Sequence, residues 1–202
     1  MSILIRDVHE HELDSVLALN NAAGPTILPM DATAVRFFFD QAAYFRVAEV
    51  DGHIAGFLIA MMPDAPYDSP NFQWFKARYE SFVYIDRVVV ASTRRGAGVG
   101  RVFYADVQGF AEARAPLLTC EVFLDEGKAN DVALLFHGTY GFAEVGQQIM
   151  PNTGKRVALL AKQLASFAFV KEQYLDKGGL PDLPWITERE RGESRRSLAT
   201  GT

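Results

Sequence analysis

The chain has 202 residues, 49% of them hydrophobic, and a net charge of −5. That length suits one globular domain with a sizeable core plus an appendage, and the acidic balance argues against a nucleic-acid binder held by bulk electrostatics. The single cysteine excludes an internal disulfide and a cysteine-rich metal site, the apolar run at 3–5 is too short for a signal peptide, and no apolar stretch approaches a membrane span, so the expectation is a soluble, cytoplasmic protein.

In chain order, ILIRDV (3–8) is rich in β-branched residues and predicts a first strand. HELDSVLALNNAA puts Leu13, Val16, Leu17 and Leu19 mostly on one face, a helix ending near Asn20, Asn21 and Gly24. Asp31 stands where it can cap a second helix, DATAVRFFFDQAA. Residues 44–62 read as two strands joined by Asp51-Gly52, a strong hairpin signal. A polar, proline-containing segment follows at 63–81, then FVYIDRVVV (82–90) as a fourth strand. From the glycines after it, Val99, Val102, Phe103, Val107 and Phe110 recur at helical spacing to about Arg114. LLTCEVFL (117–124) predicts a fifth strand, and NDVALLFHGTY (130–140) a short helix capped by Asn130 with Gly141 at its end. FAEVGQQIM and KRVALLAKQL are two strands around the turn PNTG. The expected division is a domain over 1–164 and an extension over 165–202: a helix stopped by two glycines, then a proline-broken, charged tail. In that extension Phe167, Phe169, Val170, Tyr174 and Trp185 are material for packing on the domain or on a second copy of it, a homodimer.

The stretch RRGAGVG (94–100) carries the first chemistry. Glycines let backbone N–H groups approach an anion, and a helix N-terminus adds unpaired donors and the positive end of a dipole. Strand, glycine loop and helix together make an anion-binding arrangement. A Walker loop would need a lysine after the glycines, and a dinucleotide fingerprint would need a third glycine where Phe103 stands.

What does match is Arg-x-x-Gly-x-Gly, as Arg95, Gly98 and Gly100. This resembles the acetyl-CoA pyrophosphate loop of the GNAT superfamily of N-acetyltransferases, as does the lead-in VASTRRG, with Ser92 where proline is common in the family. A second landmark is similar too: Asn130, Ala133, Phe136 and His137, followed by Gly141-Phe142. PYDSPNFQWF, YIDRVVV, TCEVFLDE and FHGTYGF together resemble a bacterial subgroup of predicted acetyltransferases without an assigned substrate. The resemblance covers residues 2 to about 164. It implies the GNAT acyl-CoA N-acyltransferase fold, an α/β (α+β) domain whose mixed central sheet splays between its fourth and fifth strands, with helices on both faces. It also implies acetyl-CoA as cosubstrate, direct transfer to an amine in a ternary complex, and an acceptor that is a small molecule or a protein or peptide amine.

By the same resemblance, the backbone of Val88, Val89 and Val90 would pair with the pantetheine arm, and the amide near Val89 or Val90 would face the developing oxyanion. Arg95, Gly96, Ala97, Gly98, Val99, Gly100 and Arg101 would hold the phosphates, with Asn130, Ala133, Phe136 and His137 lining the cofactor from the later helix. His137 occupies the position of the family's tyrosine acid, either protonating the leaving thiolate or serving only as a packing residue. A relative's catalytic glutamate would fall at Tyr84. Strand alternation puts Tyr84 and Asp86 on one side of the fourth strand, and Glu121 lies on the fifth, so Glu121 or Asp86 remains as general base, unless each only orients substrate. Arg87 is a candidate partner for Asp86, and Cys120 alternates to the face opposite Glu121. Tyr67, Asp68, Asn71, Trp74 and Tyr79 offer aromatic walls with a carboxylate for a cationic acceptor, or form only a surface loop; Asn20 and Asn21 would face the same region. The missing glutamate and the departure at His137 keep open a non-catalytic CoA-binding module, or an acyltransferase for another acyl group.

Overall fold

Asp51 and Gly52 both have left-handed backbone angles, φ 52° and 78°, the two-residue turn whose twist matches paired antiparallel strands. It joins β2 (Tyr44–Val50) to β3 (His53–Met61). The computed structural model describes residues 2–24, 27–124, 128–151 and 153–181, with the side chains of 128–131 outside that description. β1 (Ile3–Asp7) pairs with β2, and α1 (Leu13–Asn21) and α2 (Ala32–Gln41) lie between them in sequence. The Asp31 carboxylate caps α2 by accepting the Ala34 N–H at 2.7 Å. There follow α3 (Pro70–Lys76), β4 (Val83–Val90), α4 (Val99–Glu112), β5 (Leu117–Phe123), α5 (Lys128–Thr139), β6 (Ala143–Ile149), β7 (Arg156–Gln163) and α6 (Phe167–Gln173).

The strands form one mixed sheet in the order β1-β2-β3-β4-β5-β7-β6, in which β4 and β5 are the parallel pair. Alternation splits its side chains into two cores. Tyr44, Leu58, Ile85, Leu118, Cys120 and Leu160 pack with α4 and α5. Phe45, Phe57, Met61, Tyr84, Leu159 and the aromatic residues of α3 pack with α1 and α2. Among the described residues, no helix is long and apolar enough to cross a membrane.

Two sequence expectations need correction. The segment 63–81 contains α3, announced by Ser69-Pro70: proline at the first helical position has a preset φ and no N–H to lose. Asn130 does not cap α5. The backbone is helical from Lys128, because lysine and alanine extend the helix readily, and the Asn130 side chain lies outside the described residues.

Of the apolar residues expected to pack from the extension, Phe167 reaches the α4–α5 core, whereas Phe169 is 60% and Tyr174 40% exposed. Trp185 lies outside the described residues. Phe167→Ala is therefore expected to destabilise by about 1–2 kcal/mol, since the residue is only partly buried against that core. Phe169→Ala should stay within about 0.5 kcal/mol of wild type, as exposed substitutions do. Thermal melting of the two variants checks the contrast.

Candidate active site

Only two register pairs join β4 to β5, Val83 with Leu118 and Tyr84 with Thr119. Beyond Tyr84 the strands part, and the β4 edge at Val88–Val90 faces the opening. The loop after β4 turns through Gly96 (φ 79°) and Gly98 (φ 86°), the latter being the N-cap of α4. A side chain at either position would be strained, and a Cβ there would meet nothing within 4 Å, so both glycines look onto open space. The first intrahelical bond runs from the Val102 N–H to the Gly98 carbonyl at 3.1 Å. The N–H groups of Val99, Gly100 and Arg101 thus precede the intrahelical ladder and point out at the dipole's positive end. Ala97 gives its N–H to the Arg94 carbonyl at 3.3 Å. Arg101 and Arg95 are exposed, and Arg95 Nη2 donates to the Ala23 carbonyl at 3.2 Å. This cradle fits a polyphosphate, and the open strand edge beside it fits an extended amide-bearing arm.

On the α1–α3 face, the β4 register slips between the partners of Ile59 and Ala60, leaving Asp86 as the extra residue of a bulge. The slip lets Asp86 and Arg87 both reach this face. Asp86 accepts from the Tyr67 hydroxyl and, at 2.7 Å, from Arg87 Nε. Arg87 Nη1 donates to Asn20 Oδ1 at 2.9 Å and to the Leu28 carbonyl at 3.1 Å, and its guanidinium lies over the Phe38 ring. The Asn20 amide donates to the Leu28 carbonyl, and Asn21 clasps both the N–H and the carbonyl of Met30. Both asparagines are thereby committed to holding the α1–α2 loop.

Across the opening, the Tyr84 hydroxyl donates to Glu121 Oε2 at 2.6 Å. Tyr84, on β4, thus holds a carboxylate supplied by β5. Burial, then the nearby Asp86 charge, push the Glu121 carboxyl up to about 7, while hydrogen bonds from Tyr84 and Asn71 and the charge of Arg87 pull the other way. Asn71 is buried. Trp74 packs against Gly146 of β6, and Asp68 is exposed. Tyr79 packs on Phe75 within the same core.

On the opposite face, His137 is buried. Its Nδ1 lies 2.7 Å from the Ala133 carbonyl and its Nε2 2.6 Å from the Tyr104 hydroxyl. A carbonyl only accepts, so the ring proton sits on Nδ1 and Tyr104 donates to Nε2. Burial lowers the His137 pKa. Phe136 approaches Gly100, joining α5 to the α4 N-terminus. Cys120 is buried, and burial raises its thiol pKa. The carboxylate thus lies on one face of the sheet and a buried imidazole–phenol pair on the other.

Arg87 was foreseen as a partner of Asp86 and pairs with it, whereas Tyr104 and Phe38 were not foreseen as parts of this region. Tyr104 alone carried a signal: a hydroxyl inside the apolar stripe of a helix needs a partner. The position of Arg87 depends on the bulge, which strand alternation cannot register.

A sheet that parts beside a glycine-rich helix N-terminus suits an acyl-CoA-dependent acyltransferase, and here a half-buried carboxylate lies at the parting. The chain belongs to the acetyltransferase (GNAT) family, whose model matches residues 12–142, and it is a GNAT-type N-acetyltransferase. Solved structures share the fold at low identity. Ard1 from Thermoplasma volcanium is 15% identical with a TM-score of 0.64, over 81% of this chain and 99% of that one. Naa20 from Chaetomium thermophilum, in complex with a bisubstrate analogue, is 18% identical with a TM-score of 0.61, over 89% and 92%. An N-acetyltransferase from Staphylococcus aureus is 16% identical with a TM-score of 0.59, over 81% and 99%. No curated protein matches.

Proposed function

We propose that the chain transfers an acetyl group from acetyl-CoA to a primary amine by direct attack in a ternary complex, with Glu121 as the general base. The observation that carries this reading is the Glu121 carboxyl, pushed up to about 7 at the parting of β4 and β5 and held by Tyr84 and Asn71. Bound acetyl-CoA would supply the activated thioester. The α4 N-terminus and its arginines would hold the phosphates, and the amide near Val89 or Val90 would donate to the oxygen on which charge develops.

The chain's own part is to move a proton. An alkylammonium titrates near 10.4, so passing its proton to an ordinary carboxylate is uphill by about 8 kcal/mol, but to a carboxyl near 7 by about 5 kcal/mol. Burial and Asp86 therefore make Glu121 a stronger base by about 3 kcal/mol, while leaving it ionised above neutral pH. Arg87 neutralises the charge of Asp86 and Tyr67 donates to its other oxygen, whereas Glu121 has no cationic partner of its own among the described residues and is the carboxylate assigned to the amine. The bisubstrate analogue bound to the Naa20 relative is in keeping with a site that holds both substrates at once. Release of free thiol from acetyl-CoA, measured against a panel of amines, amino acids, polyamines and peptide N-termini, tests the reading. Thiol release by no member of the panel would overturn it.

His137 takes a positioning share. Its Nδ1–H is held by the Ala133 carbonyl, its Nε2 is filled by Tyr104, and burial keeps it neutral. The ring then holds no proton for a leaving thiolate. His137→Ala is expected to lower kcat by less than the ~10²-fold typical of a lost general acid. It should leave the Kd for acetyl-CoA unchanged and destabilise the fold by about 1–3 kcal/mol, because the Tyr104 hydroxyl loses its partner. A loss in kcat of ~10²-fold or more at unchanged Tm would instead make His137 the acid.

A further inference from the structure

We propose that Gly56 of β3 sets the span between the two halves of the cofactor site, the β4 edge at Val90 and the α4 N-terminus, so that one acyl-CoA molecule reaches both. This rests on the reading that the phosphates lie at α4 and the thioester arm along β4, and the wild-type measurement below tests that reading separately.

Glycine costs conformational entropy in the middle of a strand, and Gly56 stands inside β3, between β2 and β4. Its backbone does not ask for glycine, since its φ is not positive. The space around it does. A Cβ at this position would lie 2.5 Å from the Val89 carbonyl oxygen, 3.2 Å from the Phe103 ring and 3.3 Å from the Val90 Cα. Two of these three atoms are backbone of the β4 edge assigned to the arm. The third belongs to α4, little more than one turn beyond its N-cap.

Gly56 shares a face with Leu58, two residues on, which packs in the α4–α5 core with Phe103. The Phe103 ring is fully buried and takes the place of a side chain at 56, so α4 settles close over the sheet. On the strand side, Gly56 pairs with Val90, and the Ala91 N–H donates to the Ala55 carbonyl at 2.8 Å. Backbone groups alternate in direction along a strand, so Val90 turns its N–H away from β3 and into the opening. In a dinucleotide fingerprint the third glycine lets helix and strand pack closely from within the loop itself. Here that position is Phe103, and a neighbouring strand supplies the glycine, ring against backbone. One contact thus ties the helix that holds phosphates to the strand that holds the arm.

Ordinary contact begins at 3.4 Å, so an alanine at 56 would push the Val89 carbonyl or α4 away by about an ångström. Two ligands read the span by titration calorimetry. CoA touches both halves of the site, whereas its nucleotide end alone, 3′-phospho-ADP, touches only the α4 half. The wild type should bind CoA more tightly than 3′-phospho-ADP; equal affinities would overturn the reading of the cofactor site, and the inference with it. In Gly56→Ala, 3′-phospho-ADP should bind within about twofold of wild type, while the advantage of CoA over it falls by about tenfold or more and kcat/KM falls by about 10²-fold. Thermal melting verifies folding, and a merely structural defect would weaken both ligands alike. An unchanged CoA advantage in folded Gly56→Ala, or equal weakening of the two ligands, would leave Gly56 a packing residue and overturn the inference. Should Gly56→Ala fail to fold, Phe103→Leu carries the test from the helix side, by removal rather than clash. Its CoA advantage should fall by about threefold with 3′-phospho-ADP binding kept, and an unchanged advantage there would overturn the inference equally.

Discussion

Glu121→Gln is expected to lower kcat/KM by about 10²–10⁴-fold at pH 8, the range lost when a positioned general base is removed. The substitution keeps the side chain's shape and an oxygen for the Tyr84 hydroxyl, but cannot accept a proton. In the wild type, kcat/KM should rise with pH through about 7, as Glu121 ionises. An acceptor whose ammonium titrates near 10 keeps its own limb well separated. The limb near 7 should vanish in the variant while the upper one remains.

Stability should move the other way. The Glu121 carboxyl is raised in the folded state above its ordinary 4.5. Its favourable contribution is full below that value and is lost as pH rises through about 7, since the folded state then has to hold a buried charge. At pH 8 the glutamine variant should therefore melt no lower than the wild type. Loss of activity at equal or higher Tm identifies a working base. A limb near 7 that survives in the variant would assign the proton to another group.

Much of this arrangement was written locally in the chain. Asp51-Gly52 specifies its hairpin through two left-handed residues, and Asp31 its helix through one capping bond, because each effect is decided within a few residues. The glycine loop was legible for the same reason, and the parting of β4 from β5 came from family resemblance rather than from any residue pattern. The acceptor-side detail was less accessible. α3 is a helix of seven residues, too short for periodicity to separate from a loop, and only Ser69-Pro70 marked it. The bulge at Asp86 inserts one residue into an alternating pattern, which turns Arg87 toward a face that alternation does not assign. Glu121 could be named a candidate from its strand position, but the raised carboxyl depends on Tyr84, Asn71 and Asp86 converging in space.

Gly98→Asp is expected to weaken acetyl-CoA binding by roughly a thousandfold to ten-thousandfold with the fold intact. Gly98 is the N-cap of α4 at φ 86°, with open space where a Cβ would stand. Aspartate is among the few residues that visit the left-handed region, at about 1–2 kcal/mol, so the backbone can keep its path. Its carboxylate is also welcome to the helix, since it can answer the unpaired N–H groups at the positive end of the dipole. The same two features make it an occupant of the anion cradle. A carboxylate about 4 Å from a bound phosphate, at an effective dielectric constant of about 20, repels it by about 4 kcal/mol, or about a thousandfold in affinity. Gly98→Asn separates charge from shape: it also tolerates the left-handed backbone but carries no charge, and should lose only about tenfold, from the steric part. The gap between the two variants should narrow as salt screens it, with a Debye length of about 10 Å at 0.1 M and about 3 Å at 1 M. Titration calorimetry of both variants at the two salt concentrations reads all of this, with thermal melts to verify folding. Wild-type affinity in a folded Gly98→Asp protein would move the phosphates away from the α4 N-terminus.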